Sequence, residues 1–245
     1  RFSYWRHLFT SDPVIQRQVI PIMEYSVVLL TIIIGLAAVL CVYVPLRYFA
    51  SQGLRTRHAT RYTLYLAGAG LGYMAIEIAL LQKFGLFLGH PNYALSVVLA
   101  SFLISTGLGS LFSGALVKAL GRVRYASYVV SAVLLVEYGL IFEHLPELFR
   151  LSFWLRVLIV FRLVFPIGAC LGVFVPSALE QLKLTANRLV PWAWGINGIF
   201  SVLGPVFSVA LSITWGINAL LLSAIPVYLV VGLSLPDTEG MPHRS

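Results

Sequence analysis

Aspartate occurs only twice in this chain, as Asp12 and Asp237, and charged residues of all kinds make up 11% of its 245 positions. Ordinary soluble domains carry roughly a quarter. A soluble fold of this size would have too few charges to cover its apolar surface, so that class is excluded and a bilayer is the natural solvent. Cysteine is as scarce: Cys41 and Cys170 both stand inside apolar runs, with no Cys-x-x-Cys pair. That excludes a disulfide framework and a thiolate metal site, and both read as small hydrophobes in a helix bundle.

Catalytic signatures are missing too. Gly68-Ala69-Gly70-Leu71-Gly72 lies within an apolar run and lacks the spacing of a dinucleotide loop. No G-x-x-x-x-G-K-[ST], H-E-x-x-H or G-x-S-x-G occurs. No catalytic residue, metal or cofactor is therefore expected from this chain, and any enzymatic chemistry would lie in a soluble domain outside it. With Arg1 first and no signal-peptide pattern, the chain reads as a fragment or a processed product.

What is present is apolar length. Hydrophobic residues are 59% of the chain and the mean hydropathy is +0.90. A spanning helix needs about 20 apolar residues at 1.5 Å each. Seven runs qualify, near 25–46, 62–84, 93–117, 125–143, 153–179, 191–213 and 216–235. The expectation is an all-α bundle of about seven transmembrane helices over residues 25–235. Residues 1–24 read as an interfacial lead-in and 236–245 as a polar tail.

The formal net charge of +8 gathers in short loops between these runs rather than on a basic stripe with interleaved aromatics. A nucleic-acid partner is therefore not expected; the lipid bilayer is. One set of alternate loops collects ten Lys and Arg, among them Arg47, Arg55, Arg57, Arg61, Lys118, Arg122, Arg124, Lys183 and Arg188. The other set collects six, so the first faces the cytoplasm, with the N-terminus outside and the C-terminus inside. In a bacterium this is the inner membrane.

Small residues predict where helices touch, because backbones approach closely only where side chains are short. Gly107, Ser110 and Gly114 are expected to do this in the third run, and Gly195, Gly198 and Gly204 in the sixth. Pro45, Pro166, Pro176, Pro205 and Pro226 are expected to kink their helices.

Charges inside the runs are the candidates for chemistry. On insertion scales a charged side chain at helix centre costs about 2.5–3.5 kcal/mol. Glu77, Glu137 and Arg162 stand out, and helical rise brings all three into the outer-middle layer of a core about 30 Å thick. They read either as a polar centre for proton coupling or a cationic ligand, or as a structural ion pair pinning two helices. Glu180, beside Lys183, lies near the inner end and reaches the interface by snorkelling. Gln82 and His90 flank the turn between the second and third runs, where His90 is expected to serve the turn. Trp192 and Trp194 read as an interfacial aromatic belt, and Asn197 as a hydrogen-bonding group between helices or toward a solute.

Two stretches carry a resemblance. Glu77-Ile78-Ala79-Leu80-Leu81-Gln82-Lys83, continuing to Leu88-Gly89-His90-Pro91, and Trp192-Ala193-Trp194-Gly195-Ile196-Asn197-Gly198 with Ser201-Val202-Leu203-Gly204, resemble the C-terminal membrane region of bacterial spermidine synthase-like membrane proteins. In that family such helices are fused to a soluble aminopropyltransferase-like domain, whose acidic residues and glycine-rich loop have no counterpart here. Gly114-Ala115-Leu116-Val117-Lys118-Ala119-Leu120-Gly121-Arg122-Val123-Arg124 is similar to the loop motif of the major facilitator superfamily, with Lys118 where an aspartate usually stands. That likeness implies the C-terminal half of a major facilitator fold plus one preceding helix, and favours a Glu77–Arg162 pair. The expected function is an anchor or structural subunit of a larger membrane assembly, with other subunits or a fused soluble domain as partners. The alternatives are a transporter half for a small, polyamine-like solute, or the membrane anchor of a spermidine synthase-like enzyme.

Overall fold

In a computed structural model, residues 20–56, 58–139 and 144–235 are described, and they form helices without strands. We number the α-helices α1 (Ile20–Ala38), α2 (Val44–Phe49), α3 (Ala59–Leu88), α4 (Pro91–Leu111), α5 (Ser113–Leu120), α6 (Val123–Glu137), α7 (Phe153–Thr185), α8 (Val190–Trp215) and α9 (Ile217–Ser234). Six spans are long and apolar enough to cross a membrane, the first running Leu29–Phe49; a bent pair, α5 with α6, makes a seventh if it is counted as one. The chain is an all-α membrane bundle, as its composition requires.

The central helix is α3. It packs against α4, α7, α8 and α9, and Tyr65, Ile76, Ala79, Leu80 and Phe84 along it are wholly buried. At its end the chain reverses in two residues. Gly89 takes φ +83°, a left-handed conformation that glycine enters without β-carbon strain. His90 is then extended, and its Nδ1 accepts the Asn92 backbone N–H at 3.2 Å while Pro91 opens α4. The turn role expected of His90 is that of an N-cap. On the neighbouring element, Arg156 donates to the Phe87 carbonyl at 3.0 Å, satisfying one of the last carbonyls of α3.

The first run passes through a π-helical turn at Val39–Tyr43 just before Pro45. Proline removes the N–H that would bond the carbonyl four residues back, and a π turn absorbs that mismatch. This run lies at the periphery: its main neighbour is α8, and only 6% of its apolar window is buried.

The third run departs from expectation. Instead of one span over 93–117, helix α4 stops at Leu111, and Ser113–Leu120 forms a separate helix that meets α6 at 88°. The break falls in Ser105–Gly114, a stretch of serine, threonine and glycine with weak helix propensity. Helix α6 runs in α-form to Glu137 and continues as π-helix through Tyr138 and Gly139; residues 140–143 of the predicted run lie outside the described residues. The lead-in, apart from residues 20–24 in α1, and the tail 236–245 also lie outside them.

Pro166 and Pro176 sit within α7, Pro205 within α8 and Pro226 within α9, each helix running through its proline. Hydroxyls supply carbonyl contacts near Pro176: Ser177 Oγ donates to Val173 O at 2.7 Å, and Tyr65 Oη donates to Phe174 O at 3.0 Å.

The tightest seam joins α4 to α7. A β-carbon added at Gly168 would collide with Ser105 Oγ, one at Gly109 with the Ala169 carbonyl, and one at Gly172 with the Thr106 carbonyl. Ser105 and Gly109 are four residues apart, as are Gly168 and Gly172, so two small-xxx-small rows face each other. Of the six residues predicted to pack, Gly195 meets Leu46 and Gly204 meets Met74. Ser110 contributes its backbone, beside Gly172. Gly107, Gly114 and Gly198 do not pack: a β-carbon on any of them would touch nothing within 4 Å. They lie on other faces of their helices, which a count of glycines does not reveal.

Candidate functional site: a cleft between α3, α4, α7 and α8

Helices α7 and α8 follow one another in the chain but barely touch along their lengths, because each is held elsewhere. Helix α7 is bound to α4 by the glycine seam, and α8 lies along α3. Between these two pairs lies an open cleft of about 720 Å³, within the range of small-molecule sites.

Its lining grades from charged to apolar. Glu180 and Lys183, the two charged residues that line it, lie in the last turns of α7 and are exposed. No ion pair joins them. Trp194, 59% exposed, stands at the start of α8 on the same end of the cleft. Deeper along α7 come Leu179, Val175, Phe174 and Leu171, with Leu103 and Met74 opposite. Polar groups interrupt this wall at Tyr73, Thr106, Ser110, Asn197 and Ser201.

Asn197 is the most informative of these. Its Oδ1 is shut away from solvent and accepts no hydrogen bond among the described residues. A buried acceptor without a donor costs about 1–3 kcal/mol, so such atoms mark places where a partner is missing. Gly70 faces this amide: a β-carbon there would lie 2.8 Å from the Asn197 carbonyl, 3.0 Å from Ser201 Oγ and 3.1 Å from Asn197 Oδ1. Glycine at 70 is what allows α3 and α8 to approach here.

The structure does not assemble the three-charge centre predicted from depth. Glu77 and Glu137 are buried, at 8% and 5% exposure, but Arg162 is exposed, and no ion pair joins it to either acid among the described residues. The reason is azimuth. Val160, Val164, Ile167, Leu171 and Phe174 form the buried stripe of α7, and at about 100° per residue Arg162 lies on the opposite side. Depth alone placed these groups together; helix rotation separates them. One oxygen of Glu137, Oε2, is likewise buried without a partner among the described residues.

The remaining predicted residues find local partners. Gln82 Nε2 donates to Ser212 Oγ at 3.1 Å, a contact between α3 and α8, and Lys83 Nζ donates to Asn218 Oδ1 at 2.8 Å. Trp192 is not part of an interfacial belt. It is 3% exposed, donates its indole N–H to the Ala50 carbonyl at 2.7 Å and meets Tyr43 edge-on at 5.8 Å. Trp194, two residues on, faces outward as an interfacial residue would. Tyr73 and Thr106 escaped the sequence reading because single hydroxyls carry no motif, and Gly168 and Gly172 were not among the small residues expected to pack.

The described residues contain no group of three or more His, Cys, Asp or Glu placed to hold a metal ion. No family model, curated protein or solved structure matches this chain.

Proposed function

We propose that this chain is a membrane-integral, transporter-like helical domain that takes a small solute into the cleft between α3, α4, α7 and α8. The observation that carries this reading is the cleft itself, a concavity in a membrane bundle with polar groups along an apolar wall. A purely packed anchor has no use for such a space. In the proposed topology the N-terminus is outside and the C-terminus inside, so the mouth at Glu180 and Lys183 opens toward the cytoplasm of a bacterial inner membrane. Kinship with spermidine synthase-like membrane proteins, and with half of a major facilitator fold, belongs to this proposal and rests on the motifs quoted above.

The test uses the full chain purified in mild detergent and a panel of small solutes, read by thermal stability. A solute that binds the cleft raises the melting temperature of the native chain and leaves that of Ser201→Leu unchanged, since the leucine occupies the space. A solute that stabilises both equally binds elsewhere, and a panel with no stabilising member overturns the reading.

A second reading, anchor or structural subunit, is favoured by the periphery. Leu29, Ile32, Ile33 and Leu36 on α1 are exposed, and a β-carbon at Gly35 would touch nothing. This face is available to lipid or to another membrane subunit or fused domain. Mass spectrometry of chains that co-purify in mild detergent decides it: a stoichiometric partner supports the subunit, and its absence removes that role.

A further inference from the structure

Resting on the cleft as the binding site, we infer that its ligand is an amphipathic zwitterion: an ammonium and an acidic group side by side on an apolar body. Three observations lead there. The cleft carries one negative and one positive side chain, Glu180 and Lys183, so its formal charge is balanced. The two are three residues apart on α7, which places them on neighbouring turns with β-carbons about 5–6 Å apart. Neither is bonded to the other, and both are exposed at the mouth. A compact head with opposite charges a few ångströms apart meets both at once.

The other charge classes fit less well. A polyamine brings several positive charges to a site with one carboxylate and an opposing lysine. An anion meets Lys183 but is repelled by Glu180. A zwitterion alone leaves no charge facing its like.

The body follows from the wall. From Glu180 the cleft runs nine residues along α7 to Leu171, roughly 14 Å by helical rise. That length is lined mainly by Leu179, Val175, Phe174 and Leu171, which favours an apolar segment over a sugar or a second charge. Two sources supply this chemistry, the head of a zwitterionic lipid entering sideways or a soluble apolar amino acid entering from water.

Matched probes separate charge class from source. Calorimetry of the purified full chain compares phenylalanine with phenethylamine and phenylpropionate, which keep the aromatic body and carry one charge each. Native mass spectrometry compares phosphatidylethanolamine with phosphatidylglycerol. The zwitterion of one series binds about tenfold more tightly than its singly charged analogues, and the series in which it does so identifies the source. Glu180→Gln removes the advantage over the anion, and in the soluble series Lys183→Gln removes the advantage over the cation. This exchange of preference is one that a structural role of either residue would not produce.

If a singly charged probe binds as tightly as its zwitterion, or if both variants leave the preference unchanged, the class is wrong while the cleft stands. If no probe binds and Ser201→Leu also leaves every solute response unaltered, the cleft is not a ligand site and both readings fall.

Discussion

Helix α7 makes two contrasting borders in the same bundle. Toward α4 it is closed: Gly168 lies against Ser105, Gly172 against Thr106 and Gly109 against Ala169, so closely that no β-carbon fits on any of the three glycines. Toward α8 it is open, and the cleft occupies the space between them. Chemical composition does not separate the borders well, since Thr106, Ser110 and Gly172 take part in both. What separates them is the facing of small residues in pairs. In lipid there is no hydrophobic force between helices, so van der Waals contact over close backbones holds them together. Two rows of small residues in register close a border, and a row facing nothing leaves it open.

Gly168→Leu gives the largest effect. It inserts a branched side chain where even a β-carbon meets Ser105, and overpacking of this kind destabilises by about 3 kcal/mol. The expected result is a strongly lowered melting temperature in detergent, with loss of monodisperse protein on size-exclusion chromatography. A melting temperature equal to that of the native chain would show that α4 and α7 are not closed on each other here.

Tyr65→Phe has a smaller effect. It removes a wholly buried hydroxyl that bonds the Phe174 carbonyl beside the cleft, and the expected loss is about 1 kcal/mol, read as a modest fall in denaturation midpoint. Phe174 also lines the cleft, so the same variant weakens any solute response without abolishing it. An unchanged midpoint would mean that the bond adds nothing to the α3–α7 contact.

Smallest of all are Gly107→Leu and Arg162→Gln. Gly107 lies two residues from the closed seam but faces open space, and Arg162 is exposed without an ion pair to Glu77 or Glu137. Both substitutions are expected to stay within about 0.5 kcal/mol of the native chain. A loss of 2 kcal/mol or more for Arg162→Gln would restore the buried ion pair, and the same loss for Gly107→Leu would move the seam.

The spans were legible because they are long. Twenty apolar residues leave little choice of structure in a bilayer, and the predicted 153–179 and 191–213 recur within Phe153–Thr185 and Val190–Trp215. The third run was misjudged because apolar length continues through Phe112 while the backbone does not: composition measures transfer to lipid, and the break depends on local propensity. Among site residues, the turn role of His90 needed only near neighbours and was readable, whereas the partner of Gln82, Ser212, stands on another helix and was not. Trp192 was not, since whether an indole faces lipid or the Ala50 carbonyl depends on where α8 lies relative to Ala50.

The sequence by itself determined that this chain is a helical membrane protein and roughly where it crosses, because hydropathy and helix length are properties of single segments. Only the tertiary structure decided which way each helix turns its side chains. That rotation buries Glu77 and Glu137 while leaving Arg162 outside, seats Gly168 but not Gly107 in a seam, and sets Glu180, Lys183 and Asn197 along one cleft. The physical reason is that depth is fixed by rise along one helix, whereas azimuth is fixed by the shape of every helix packed beside it.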